Sequence, residues 1–319
     1  MNFLFTIALN NTETTHNYKS IMRLMTSLAI TLRDLGHKTY VLSHQDSLMK
    51  PDNYDNVLAL NSLTPDNYDA VIEKIGFKPD YSFIWNGNLQ CDRDTIAVLK
   101  QNGVKIVYGE LGFLNHYGRT CYFDLSGVNC RISTIAKPID DFGGLDHALF
   151  DRLVTENKKA RLVQEPYVFV PLQVESDTQI VKYSPFKTMD QLLEYVSDIF
   201  AQDDRKILYK QHPHLRANVR TYDKFVEVTE DVHHYIPYAD VVVGINSTVL
   251  VETMLYHDRI ISLGAGVTSK HVRNDIQRKK YILDLYSRQL NWDDLSDKRK
   301  VVNSGFYQDI LKDYNKCKV

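Results

Sequence analysis

Short apolar runs of strand length alternate with helix-length segments from one end of this chain to the other, and few architectures accept that rhythm. A strand, a helix and a second strand in succession return the chain in the same direction, so parallel sheets with helices on both faces are expected. In the first half, strands are expected near Phe3 to Leu9, Lys38 to Ser43, Tyr81 to Asn86 and Val104 to Tyr108. Helices are expected near Tyr18 to Leu35, Pro65 to Ile75 and Arg93 to Gln101. In the first of these, Ile21, Leu24, Met25, Leu28, Leu32 and Leu35 recur at three- and four-residue steps and Gly36 supplies a stop, which reads as a core stripe. In the second half, strands are expected near Tyr167 to Pro171, Lys206 to Lys210, Val226 to Val228, Asp240 to Gly244 and Arg259 to Leu263. Helices fall near Met189 to Ala201, Val232 to Tyr238 and Thr248 to His257, followed by a largely helical tail from about Asp275.

Between the halves, Ile139 to Pro166 carries Gly143-Gly144, a charged segment and Pro166. The expected division is therefore 1–150 and 151–319, two α/β domains, the second carrying the helical tail. Two Rossmann-like domains facing a cleft is the fold class that results. With 319 residues, 44% apolar and 24% charged, the chain is long enough for two cores and is not of disordered composition.

Other classes drop out on simple grounds. No apolar run approaches the roughly 20 residues of a spanning helix, so no integral membrane contact is expected. Met1-Asn2-Phe3-Leu4-Phe5 has no basic flank and no small-residue cleavage site, and a cytoplasmic location is expected. Cys91, Cys121, Cys130 and Cys317 form no Cys-x-x-Cys pair or close Cys/His cluster, so reduced thiols and no structural zinc are expected. With a formal net charge of -2, a polyanion would need a local basic face; Lys270, Arg273, Arg278, Lys279 and Lys280 are the candidates, though they are interleaved with acidic residues.

The chemistry-bearing motifs stand at predicted strand ends. Lys210-Gln-His212 follows one strand, and Asn246-Ser-Thr248 lies between a second strand and a helix. A helix opened by such residues turns backbone amides and two hydroxyls toward whatever lies beyond the strand, which suits the phosphate of a nucleotide-sugar. Singly, His212 reads as a loop histidine and Asn246 or Ser247 as a helix cap; it is their occurrence at consecutive strand ends of one α/β unit that points to a site. Glu252, just over one turn beyond Ser247, is placed to accept from ribose hydroxyls. Gln173, Asp177 and Gln179 add more polar groups near a strand end than a turn requires.

In the first half, the long segment Tyr108 to Asn129 carries Glu110, His116, Arg119 and Asp124 among four glycines and is read as the acceptor-side loop. Sugar transfer needs a base to activate the acceptor hydroxyl and a positive environment for the leaving phosphate. Glu110 or Asp124 would supply the first; Lys210, His212 and the amides at Ser247 and Thr248 the second. That arrangement calls for no metal and no cofactor beyond the donor itself, and no Asp-x-Asp stands at a predicted strand end.

Taken together, Pro171 to Ile180 with Tyr183-Ser-Pro-Phe186, Lys210-Gln-His-Pro213, Gly244 to Glu252 and Ile260 to Gly264 resemble the capsule polysaccharide synthesis family, bacterial transferases related to Kdo transferases that use CMP-activated sugars. Glu110-Leu-Gly-Phe113 and Asp124 to Asn129 look like that family's acidic loop. The resemblance implies a GT-B fold, a metal-independent glycosyltransferase with a CMP-type donor carrying a Kdo- or pentose-like sugar, and donor contacts at His212, Ser247, Thr248 and Glu252. Asn-Ser-Thr stands where the family commonly has a Ser-Ser pair. The implied acceptor is a glycan hydroxyl. A second reading keeps the chemistry but takes hydroxymethylated cytosine in DNA as acceptor, for instance in arabinosyl transfer, because the Asn-, Tyr- and Asp-rich style is similar to that of large tailed phage proteins. There the Lys270 to Lys300 stretch, with Arg119 and Arg131, would meet phosphates. A third is a nucleotide-sugar epimerase or hydrolase on the same fold.

Overall fold

In a computed structural model of the chain, residues 1–7, 16–44, 54–114, 119–213, 215–220, 223–270, 272 and 274–316 are described. His116, Arg273 and Cys317 lie outside them. The first stretch runs β1 (Asn2–Ile7), α1 (His16–Asp34), β2 (Lys38–Ser43), β3 (Val57–Ala59), α2 (Tyr68–Ile75), β4 (Tyr81–Trp85), α3 (Gln90–Gln101), β5 (Lys105–Leu111) and β6 (Thr120–Asp124). There follow α4 (Ser133–Ala136), α5 (His147–Asn157), β7 (Tyr167–Pro171), α6 (Thr178–Tyr183), α7 (Met189–Ile199), β8 (Lys206–Lys210), β9 (Phe225–Glu227), β10 (Val241–Gly244), α8 (Thr248–Thr253) and β11 (Ile260–Ser262). The chain ends with α9 (Asp275–Arg288), β12 (Gln289–Asn291), α10 (Lys298–Asn303) and α11 (Gly305–Lys316).

Two compact units result, Met1–Ser133 with Ser287–Val319, and Thr134–Tyr286. The expected break at 150/151 therefore lies at 133/134, and the tail belongs to the first unit rather than the second. The reason is visible in its residues. β12 pairs antiparallel with β6, Leu290 opposite Cys121, and Val301, Phe306, Tyr307 and Ile310 join the core that α1 builds on one face of the first sheet. Asp313 accepts from Tyr81 Oη and pairs with Lys105 at 2.6 Å. A mixed-charge helical tail gives no hint of which sheet its apolar stripe will cover.

Among the described residues, the sheet of the first unit has the order β12-β6-β5-β4-β1-β2-β3. Its neighbours from β3 to β5 are parallel, and β5 to β6 and β6 to β12 antiparallel. Both faces are buried, as alternate residues of β1 show: Phe3 and Phe5 pack with Met25, Leu28 and Leu32 of α1, and Leu4 packs on the other side with Leu42, Val71 and Leu99. The α1 stripe is the predicted one, and Gly36, at φ 87°, ends the helix in a left-handed turn.

The second unit holds the parallel order β11-β10-β7-β8-β9. Val168, Val170 and Val243 face α7 through Leu192, Leu193 and Val196; Phe169 and Val242 face Tyr235, Ile236 and Leu250. Strand order reverses between β7 and β10 here and between β1 and β4 in the first unit, and those switch points, at the carboxyl ends of the strands, are where open α/β sheets leave a crevice. Among the described residues, no helix is long and apolar enough to cross a membrane.

Candidate functional site

In the second unit the switch point carries the motifs. Gln173 leaves β7 and Asn246 leaves β10, and their side chains interlock: Gln173 Nε2 donates to Asn246 Oδ1 at 3.0 Å, and the Asn246 backbone N–H donates to Gln173 Oε1 at 3.3 Å. Asn246 Nδ2 donates its two hydrogens to the carbonyls of Gln179 and Ala265. Each polar atom of that amide is therefore engaged within the protein, so Asn246 holds the site together rather than offering a free group to a ligand. The loop after β11 closes around it: a β-carbon at Gly264 would lie 2.5 Å from Ile245 Cγ2, and one at Gly266 would lie 2.7 Å from the Asn246 β-carbon.

Ser247 caps α8, its Oγ accepting from Val249 N–H at 3.2 Å. Capping occupies a lone pair and leaves the hydroxyl hydrogen to donate outward, and Thr248 follows as the first helical residue. Asp177 likewise caps α6 by accepting from Gln179 N–H at 2.7 Å, the role that a turn asks of aspartate. The Gln179 side-chain amide is buried with neither end hydrogen-bonded among the described residues.

From β8, Lys210 directs its ammonium to the Thr229 carbonyl at 2.5 Å. Gln211 ties down the next loop by exchanging two hydrogen bonds with the Ala217 backbone. His212 is half-buried at that strand end, beside β7 in the sheet order. Lys210 thus serves the β8–β9 side.

Glu252 is 8% exposed, and its Oε2 lies 3.7 Å from His233 Nε2. His233 shares its Nδ1 with Tyr256 Oη at 2.9 Å, and burial holds the ring below its ordinary value, so at neutral pH this contact is not a full ion pair. The sequence reading missed His233 and Tyr256; the only signal was the His233-His234 dipeptide, and nothing in it specifies which ring turns inward.

In the first unit the expected long loop is a hairpin. β5 runs on to Leu111 and pairs with β6, Tyr108 opposite Asp124 and Glu110 opposite Tyr122. Close backbone approach explains two of its glycines, since a β-carbon at Gly109 would lie 2.8 Å from the Phe123 ring and one at Gly112 2.1 Å from Thr120 Oγ1. Both acids sit on strands of one face but in different company. Asp124 is 4% exposed; its carboxylate accepts from Ser126 N–H at 2.7 Å, Ser133 N–H at 3.0 Å and Ser133 Oγ at 2.6 Å. Arg288 stands 3.9 Å away and is held by Asp309 at 3.1 Å. Burial raises the Asp124 pKa above its ordinary value, opposed by those hydrogen bonds. Glu110, half-buried at the end of β5, accepts from Asn86 Nδ2 at 2.5 Å and Leu111 N–H at 2.9 Å.

Three of the basic residues expected on one face, Lys270, Arg278 and Lys279, are engaged within the protein. Arg278 is 4% exposed, donating to the Met254 carbonyl and pairing with Asp275, which Lys279 also meets at 2.8 Å. Lys270 gives its ammonium to the carbonyls of Ile135 and Lys137. An alternation of charges read along the chain cannot tell a solvated lysine from one turned into its own domain. Asp92-Arg93-Asp94, an acidic triplet passed over in the sequence, lies within α3, where Asp94 accepts from Gln90.

Strand order, switch points and paired units define the chain's class as a GT-B type α/β fold, and comparison with solved structures agrees. The Thermosulfurimonas dismutans KpsC, beta Kdo 2,7 transferase, superposes with a TM-score of 0.52 at 16% identity, over 95% of this chain and 99% of that one. The KpsC beta Kdo 2,4 transferase of the same organism gives 0.52 at 12% identity, over 88% and 89%. Residues 148–269 match the family model described as capsule polysaccharide biosynthesis protein. Over residues 148–269 the chain is thus similar to capsule polysaccharide biosynthesis proteins, and its fold is similar to that of the KpsC Kdo transferases. Protein FixF of Sinorhizobium fredii (strain NBRC 101917 / NGR234) is 30% identical over 188 residues, 54% of this chain; the chain spans less than half of that relative, 45%.

Proposed function

We propose that the chain is a glycosyltransferase that moves a sugar from a nucleotide-sugar donor, CMP-activated and Kdo- or pentose-like, to a hydroxyl of a glycan. The observation that carries the reading is the Gln173–Asn246 lock at the β7/β10 switch point, because it ties the start of α8, with Ser247 and Thr248, to the end of β7, whose other neighbour β8 leads to His212. The family match over 148–269 spans this same set of residues.

In this mechanism the second unit holds the donor. His212 and the hydroxyls of Ser247 and Thr248 stabilise the charge that builds on the leaving phosphate, and Glu252 accepts from the ribose. The counter-charge comes from side chains and amides, and the scheme calls on no metal. Glu110 is the general base toward the acceptor hydroxyl, with the proton moving to its carboxylate as the new glycosidic bond forms. We assign Asp124 to holding the hairpin onto Ser133, since three donors already surround it. The reaction is placed in the cytoplasm.

Thermal unfolding with CMP, UDP and GDP tests the reading, because a nucleotide that binds only the folded chain raises its melting point by mass action. Stabilisation by CMP above the other two is expected; no response to any of the three would overturn the donor assignment. DNA as acceptor would require retention on duplex DNA that falls steeply with salt, and the inward-turned Lys270 and Arg278 argue against it.

A further inference from the structure

The turn that leaves β4 grips the carboxylate at the end of β5. Asn86 has a φ of 60° and Gly87 one of 74°, the left-handed region that asparagine tolerates better than most side chains. A β-carbon at Gly87 would lie 2.7 Å from the Tyr108 ring, so the turn sits directly on β5. Three bonds fix Asn86: its N–H donates to the Gly109 carbonyl at 2.7 Å, its Oδ1 accepts from Asn88 N–H at 3.2 Å, and its Nδ2 donates to Glu110 Oε2 at 2.5 Å. The other oxygen, Oε1, accepts from the backbone of Leu111. Glu110 is thus held from both sides at the strand end adjoining the β1/β4 switch point of the first unit.

We propose that Asn86 is a positioning residue for Glu110: its amide fixes the rotamer of the carboxylate and favours its ionised form, the form a general base needs before it meets the acceptor hydroxyl. This rests on the reading of Glu110 as base. The backbone supports it independently, because a non-glycine residue kept at positive φ where glycine would relax the chain points to work done by its side chain. A donor to a carboxylate stabilises the charged state, and its removal raises the pH at which the group protonates.

The test uses the full chain without ligand first. Site-resolved carbon-13 titration of the Glu110 carboxyl is compared in wild type, Asn86→Gly and Asn86→Asp. Glycine suits the φ of 60°, so N86G keeps the fold while losing the amide; its Glu110 midpoint is expected to rise by about one pH unit. N86D faces one carboxylate with another and should raise it further. Turnover of a CMP-activated Kdo donor by N86G should fall about tenfold in kcat, with KM for donor unchanged and the acid limb of the pH profile displaced upward. An unmoved midpoint in both variants overturns the proposal whatever the activity. A moved midpoint with full turnover in E110Q overturns the base reading, and the catalytic role of Asn86 with it.

Discussion

Gln173 and Asn246 are 73 residues apart in the chain and exchange two hydrogen bonds across the ends of β7 and β10. The exchange makes one rigid platform from two strand ends, so that the serine and threonine after Asn246 are presented at a fixed height above the sheet. Asn246 uses its remaining donors on the carbonyls of Gln179 and Ala265, tying in α6 and the loop after β11 as well.

Replacing Asn246 by aspartate would turn an oxygen toward those two carbonyls and leave them unmatched. A destabilisation of about 2–4 kcal/mol is expected in urea unfolding. Gln173→Ala should cost about 1–2 kcal/mol and weaken CMP binding, since the platform loosens. Unchanged unfolding midpoints in both variants would contradict the lock.

His212→Ala should weaken CMP binding about tenfold while leaving the fold intact, since one charge-assisted contact to a phosphate is worth on the order of 1.5 kcal/mol. Isothermal calorimetry measures it; equal affinity in wild type and variant would remove His212 from the site.

The two acids of the hairpin are expected to part company. Glu110→Gln should lower turnover by roughly a hundredfold or more with donor affinity preserved, as loss of a general base does. Asp124→Asn should lose about 1–3 kcal/mol of stability, because an amide group is forced against N–H and O–H donors in a buried setting. If Asp124→Asn unfolds like wild type and is inactive, the roles assigned here are reversed.

Stability should fall on the acid side of neutrality. Burial, with the nearby Arg259 charge, brings His257 from 6.5 down to about 4: Nε2 faces the Ile236 carbonyl at 2.9 Å, and Nδ1 is buried without a partner among the described residues. His233 is lowered in the same direction, chiefly by burial. A group whose folded pKa is depressed binds its proton more readily in the unfolded chain, so its contribution is present above 6.5 and is lost as pH falls toward 4. His257→Gln, which keeps a donor for Ile236, should flatten the loss of melting temperature over that range.

Arg278→Ala is expected to cost about 3 kcal/mol or more, because the guanidinium is 4% exposed and bonded to the Met254 carbonyl. Retention on a heparin column should stay as in wild type. A large drop in retention without loss of stability would restore the stretch as a polyanion surface.

The alternating elements and the stripe of α1 were legible because parallel strands and amphipathic helices impose local periods of two and 3.6 that the residues must obey wherever they end up. The positions of His212 just after β8 and of Ser247 and Thr248 at the start of α8 were legible for a related reason, since turns and helix starts must follow strand ends in an α/β unit. Tertiary structure alone decided the rest. Asn246, expected to meet a ligand, is saturated by partners at 173, 179 and 265, and Asp124 by Ser126 and Ser133. The tail after Ser287 returns to the first sheet. Hydrogen-bond satisfaction and the burial of an apolar face are set by which segments meet in space, and a sequence read along its length contains the groups but not their meetings.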